Sequence, residues 1–154
     1  MKKIIYNTNI KKNVIDSEEL YDINNHLLYI DKIYNNVEFI HRNYIKNENK
    51  KKYSSYIQQD KRKRKYNNEM HITYDELIYK LYLSNLSCYY CKCIMYLVYN
   101  NKNNRSQWSL ERLNNDIGHY TNNTCISCLD CNLKRRTSNH EYYKKYKTIS
   151  IKKI

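Results

Sequence analysis

Cys88-Tyr89-Tyr90-Cys91 and Cys128-Leu129-Asp130-Cys131 are two Cys-x-x-Cys pairs with 36 residues between them, and their reading decides the fold. A pair at this spacing presents two thiolates from one tight turn. Two such pairs complete a tetrahedral set of four sulfurs suited to a structural Zn²⁺ ion. All six cysteines fall between residues 88 and 131; in a reducing compartment such clustering points to metal binding, not to disulfides. A bound ion supplies stability that a small core lacks. Cys93 and Cys125 are surplus to the set. Either can compete as a ligand, and packing as a small buried thiol is the preferred reading for both. Four-cysteine knuckles serve proteins of unrelated roles, so function has to be sought in what the pairs enclose.

Working outward, Trp108–Leu113 (WSLERL) and Thr124–Ser127 (TCIS) read as two short strands separated by a turn rich in Asn, Asp and Gly. Asn115 and Asp116 suit that turn through side-chain to backbone hydrogen bonds, and Gly118, the only glycine in the chain, is expected to supply a positive φ. Trp108 and Leu110 read as core. Upstream, Thr73-Tyr74-Asp75-Glu76 has the form of a capping box. Tyr74, Leu77, Ile78 and Leu81 then make one apolar stripe that ends near Ser84-Asn85. Downstream, NLKRRTSNHEYYKKYK from Asn132 is basic and predicts a final helix. The predicted order is helix, knuckle, strand, turn, strand, knuckle, helix.

Residues 1–66 hold no cysteine and end in Lys61-Arg62-Lys63-Arg64-Lys65. Leu20, Ile23, Leu27, Ile30, Ile33, Val37, Ile40 and Tyr44 recur at spacings of three and four, which predicts one or two amphipathic helices beginning near Ser17. Residues 46–66 carry little apolar content and read as an exposed linker. The basic run reads as a nuclear-import signal, a phosphate-binding arm or a solvated charge run. This divides the chain into a basic, Asn/Lys-rich, partly helical extension (1–66) and a zinc-binding domain (67–154). The whole chain carries 28 Lys+Arg against 15 Asp+Glu, a net charge of +13, which favours a polyanionic partner through counterion release. Nucleic acid leads, with an anionic membrane surface as the competitor. MKKIIYNTNI lacks the apolar run of a signal peptide, and no stretch approaches a spanning helix. A soluble intracellular protein is expected, nuclear or cytoplasmic.

Between the pairs runs Ser109-Leu110-Glu111-Arg112-Leu113-Asn114-Asn115-Asp116-Ile117-Gly118-His119-Tyr120-Thr121-Asn122-Asn123, followed by Thr124-Cys125-Ile126-Ser127-Cys128-Leu129-Asp130-Cys131-Asn132-Leu133-Lys134-Arg135. Over about residues 70–140 this resembles the HNH (ββα-metal, His-Me finger) endonucleases. It is nearest the subgroup written S-L-[DE]-R-[IL]-[DN]-N-x-x-G-[YH]-T-x-x-N with a following C-x-x-C-N-x-x-[KR]. The resemblance implies an α+β fold: a small zinc-stapled ββα-metal module with a preceding helix, beside the helical basic extension. It implies a hydrolase that cuts phosphodiester bonds in nucleic acid, double-stranded DNA in the first instance. A β-hairpin packed on a helix holds one divalent metal, Mg²⁺ or Mn²⁺, against the scissile phosphate. By motif, Glu111 takes the first-strand metal carboxylate, Asn123 the middle Asn, and Asn132 the final His or Asn on the first turn of the helix. Lys134, Arg135 and Arg136 adjoin that metal and would grip the DNA backbone, with an ordinary solvated face as the alternative.

The departure is at Arg112, where the commoner form of the family has the His that acts as general base. Arginine stays protonated and cannot take that proton, although it can bind a phosphate bidentately during substrate binding or in the transition state. His119 is then the candidate base, with a surface His in a turn as the equal alternative. A third reading keeps no base at all: a non-catalytic zinc-binding module that recognises nucleic acid or a protein. His26, His41, His71 and His140 receive no role from the sequence.

Overall fold

The computed structural model describes residues 18–152, with side chains to residue 149; the expectations that MKKIIYNTNI is no signal peptide and that a helix starts at Ser17 lie outside the described residues. Among those described, the chain is mixed α+β, with six α-helices and one two-stranded antiparallel sheet. Helices α1 (Glu18–Tyr21) and α2 (Ile23–Tyr34) lead to the long α3 (Arg42–Arg62), and α4 (Tyr74–Leu83) leads to the first cysteine pair. Strands β1 (Trp108–Arg112) and β2 (Thr124–Cys128) follow, then α5 (Leu129–Arg135) and α6 (His140–Lys152). No helix is long and apolar enough to cross a membrane among the described residues.

The capping box forms as its residues dictate: Thr73 accepts from Glu76 N–H at 3.2 Å, and Glu76 accepts from Thr73 N–H at 2.8 Å. Leu77, Ile78 and Leu81 of α4 are buried. The hairpin pairs Ser109 with Ser127, Leu110 with Ile126 and Glu111 with Cys125, and Trp108 and Leu110 lie in the core. α2 buries Tyr29, Ile30 and Ile33 but leaves Leu27 exposed, and Val37 and Ile40 are exposed in the connection beyond it. His26 is fully buried in α2; its Nδ1 accepts from Leu97 N–H and its Nε2 donates to the Leu20 carbonyl, each at 3.0 Å. Those partners require the neutral ring, and burial lowers its pKa from 6.5.

Two expectations are corrected. Residues 46–62 are not a linker but most of α3, which packs against β1. Ile45, Asn49, Tyr56 and Asp60, at spacings of four and seven, line one buried face. Asn49 Oδ1 accepts from Trp108 Nε1 at 3.1 Å, and the Tyr56 hydroxyl accepts from Leu110 N–H at 3.0 Å. Lys52, half-buried alongside, donates to Gln107 Oε1, Tyr99 and the Trp108 carbonyl and lies over the Trp108 ring. Helix α3 is thus bolted to β1 by polar groups. The second correction concerns the final helix, which is two helices, because Arg136 takes φ 51° and ends α5.

Candidate functional site

Cys88, Cys91, Cys128 and Cys131 come together with their sulfurs all within 4.8 Å of one another. The sulfurs of Cys91 and Cys128 are 3.8 Å apart, which is the edge, roughly 3.8 Å, of a tetrahedron with Zn–S bonds of about 2.3 Å. The first pair is shaped by Lys92 at φ 63° and by a Cys88 N–H bond to the Cys93 carbonyl. The second is the start of α5, where Cys128 Sγ accepts from Cys131 N–H. Hydrogen bonds from Cys128 and Cys131 lower the pKa of the Cys88 thiol, while bonding to Cys128 and Cys88 raises that of Cys131. These four residues can hold a metal ion such as zinc.

The same cluster joins the end of β2 to the first turn of α5, and a second feature is a cavity of about 400 Å³. Glu111 and Arg112 of β1, His119 of the connecting loop and Asn132 of α5 line it. Tyr56, Gln59, Lys63, Lys65, Arg136 and Thr137 complete the wall and rim. Glu111 is 4 % exposed. Its Oε1 accepts from Arg135 Nη1 at 2.8 Å, while Oε2 is buried with no hydrogen-bond partner. Burial pushes the Glu111 carboxyl up to about 7 against the pull of Arg135. Asn132 donates from Nδ2 to Ser109 Oγ at 3.1 Å, which ties the first turn of α5 to β1. Glu111 and Asn132 thus bring a half-satisfied carboxyl and a side-chain amide to the wall of one cavity.

His119 is buried and held by Asp60 of α3. Its Nδ1 donates to Asp60 Oδ1 at 2.8 Å and its backbone N–H donates to Oδ2 at 2.7 Å. Burial lowers its pKa against the opposing pull of Asp60. Asp60 is fully buried, and His71 Nε2 lies 3.6 Å from its Oδ2. The sequence missed Asp60 and His71; the only trace was the spacing of Asn49, Tyr56 and Asp60, invisible to a scan for apolar residues.

Three assignments change. Asn123 does not face the cavity of Glu111: its Oδ1 accepts from Asn114 N–H, and its Nδ2 donates to the carbonyls of Asn114 and Gly118. It clasps the loop between the strands and borders a separate cavity with Asn114 and Asp116. Arg135 is not a DNA-facing residue. It is 3 % exposed and is spent on Glu111 and on the carbonyls of Arg112, Leu113 and Ser138. Gly118 does not adopt a positive φ; it is needed for close approach, since a Cβ there would lie 2.5 Å from the Lys65 carbonyl oxygen and 2.6 Å from Asp60 Oδ2. Gly118→Ala should therefore destabilise the fold by about 1–3 kcal/mol, read as a lowered urea midpoint; an unchanged midpoint would show that the α3–loop contact is loose.

The other basic residues fare differently. Arg112 donates from Nη1 to the carbonyls of Asn115 and Ile117, both at 3.2 Å, bracing the loop while lining the cavity. Arg136 is exposed on the rim. Lys134 is exposed and paired with Asp130 at 2.9 Å. Comparisons with protein-family models, curated proteins and solved structures found no match.

Proposed function

We propose that the chain is a metal-dependent endonuclease of the HNH type, hydrolysing phosphodiester bonds in DNA, with zinc as the structural ion of the four cysteines. The observation that carries this reading is the unpartnered, buried Oε2 of Glu111 on a cavity shared with Asn132 and His119. A purely structural zinc ribbon has no use for a buried carboxylate whose second oxygen is left unpartnered beside its Arg135 pair. Glu111 and Asn132 would hold Mg²⁺ or Mn²⁺. When bound, that ion supplies charge stabilisation at the phosphate and the leaving oxygen.

The rest falls to the chain's own groups. His119, with Nδ1–H committed to Asp60, has the lone pair of Nε2 free to accept a proton from the attacking water. Arg112, Lys63, Lys65 and Arg136 around the cavity offer cations for the phosphates on either side of the cut. This makes the basic run at the C-terminal end of α3 a phosphate-binding arm. Arg135 holds Glu111 in place.

Arg112 at the position of the family's usual base favours a second reading, a non-catalytic zinc-binding module for nucleic acid or a protein partner. Plasmid incubated with Mg²⁺ or Mn²⁺ separates the two. The expected result is metal-dependent nicking that falls at least about 100-fold in both Glu111→Ala and His119→Ala. Identical traces from wild type and variants would leave the binding module standing.

A further inference from the structure

We propose, resting on the nuclease reading above, that Asp60 is the positioning residue of the site: its buried carboxylate holds His119 in one tautomer and turns its second nitrogen to the cavity. This makes α3 part of the catalytic unit, although it lies 59 residues upstream of His119.

The geometry is that of a clamp with two jaws. Asp60 Oδ1 takes His119 Nδ1–H and Oδ2 takes His119 backbone N–H, at 2.8 and 2.7 Å, so both the ring and the loop that carries it are fixed by one side chain. A carboxylate accepts only, so the facing ring nitrogen must carry the proton, and the lone pair falls on Nε2. Tyr56, one turn before Asp60 on α3, packs its ring 4.9 Å from the His119 ring and closes the other side. Gly118 lets Asp60 come this close, because any Cβ there would collide with Oδ2. The groups around His119 are thus Asp60 and Tyr56 from α3, His71 from the segment before α4, and Arg112 from β1.

His71 is a second imidazole near the same carboxylate, its buried Nε2 lying 3.6 Å from Asp60 Oδ2 without a hydrogen bond. Its Nδ1 bonds the Ile72 carbonyl at 2.8 Å, which turns Nε2 toward Asp60 Oδ2. The three side chains are buried, and Asp60, His71 and His119 could also group around a metal ion. The two short bonds from Asp60 to His119 already use its oxygens in directions that serve hydrogen bonding, and a metal on His119 Nδ1 would leave no lone pair for a base. The clamp is therefore the reading to test.

Nitrogen-15 NMR of the full chain labelled at histidine reads the tautomer without substrate. Wild-type His119 is expected to carry its proton on Nδ1. Asp60→Asn, able to present an amide N–H to that nitrogen, is expected to shift the proton to Nε2. Its nicking kcat should fall on the order of 10²–10⁴-fold, with KM and the content of cysteine-bound metal unchanged. Wild-type His119 protonated on Nε2 overturns the proposal, even if Asp60→Asn fails to fold. So does Asp60→Asn that switches tautomer but nicks within twofold of wild type. A second tightly bound metal ion in purified wild type, absent from Asp60→Asn, overturns it as well. Wild type that shows the Nδ1–H tautomer but never nicks defeats the nuclease reading instead, and the two failures are told apart because the tautomer is read without DNA.

Discussion

Stripping the structural metal, or replacing Cys131 with Ser, should unfold the hairpin and α5 together and lower the melting temperature by on the order of 20 °C. The argument starts from what these elements have without the ion. The sheet has two strands, and a two-stranded hairpin is marginal alone. Helix α5 spans Leu129–Arg135, too short to be stable by itself. What joins them is the cluster Cys88, Cys91, Cys128 and Cys131, whose members sit in the first knuckle, at the end of β2 and on the first turn of α5. Structural zinc contributes about 10–16 kcal/mol in small domains, comparable to the whole stability of a typical protein. Metal analysis should find one ion per chain in wild type and in Cys93→Ala, because Cys93 stands outside the set of four, and none held tightly in Cys131→Ser. A chelated protein that melts where the loaded one does would contradict the stapling role.

Arg135→Met should cost about 3–5 kcal/mol, the usual penalty for leaving a buried charge without its partner. Arg135 is the hub under the hairpin: Nη1 serves Glu111 Oε1 and the Arg112 carbonyl, Nη2 the Leu113 carbonyl, and Nε the Ser138 carbonyl. Methionine of similar length fills the space and satisfies none of them. Denaturation in urea should show the loss, and Glu111→Gln in the same chain should recover part of it, since the buried acid is then gone. The coupling between the two, read from the double-mutant cycle, should exceed about 1 kcal/mol. Were Arg135 a DNA contact, its removal would weaken DNA binding and leave the urea midpoint in place.

Some of this molecule is readable along the chain and some is not. The capping box at Thr73, the hairpin of Trp108–Arg112 with Thr124–Cys128, and the pairing of the two Cys-x-x-Cys turns follow from residue types at fixed short spacings. Arg135 reads on paper as one more cation in a basic run, and Asn123 as one more oxygen ligand. Whether a guanidinium faces water or a buried glutamate depends on the strand lying opposite it, and no local pattern records that. Asn49, Tyr56 and Asp60 are harder still. They are buried not because they are apolar but because Trp108, Leu110 and His119 each offer them a hydrogen bond, and a satisfied polar group loses its penalty for leaving water.

What the sequence determined alone is the four-sulfur cradle, the two strands it encloses and the helix that enters it, because thiol spacing, capping and alternation act over a few residues. The tertiary structure alone decided that α3 belongs to the site, that Asp60 grips His119, and that Glu111 keeps one oxygen unpartnered on the cavity. Each of those outcomes is a partnership between groups far apart in the chain, and burial of a polar side chain is determined by its partner, not by its neighbours in sequence.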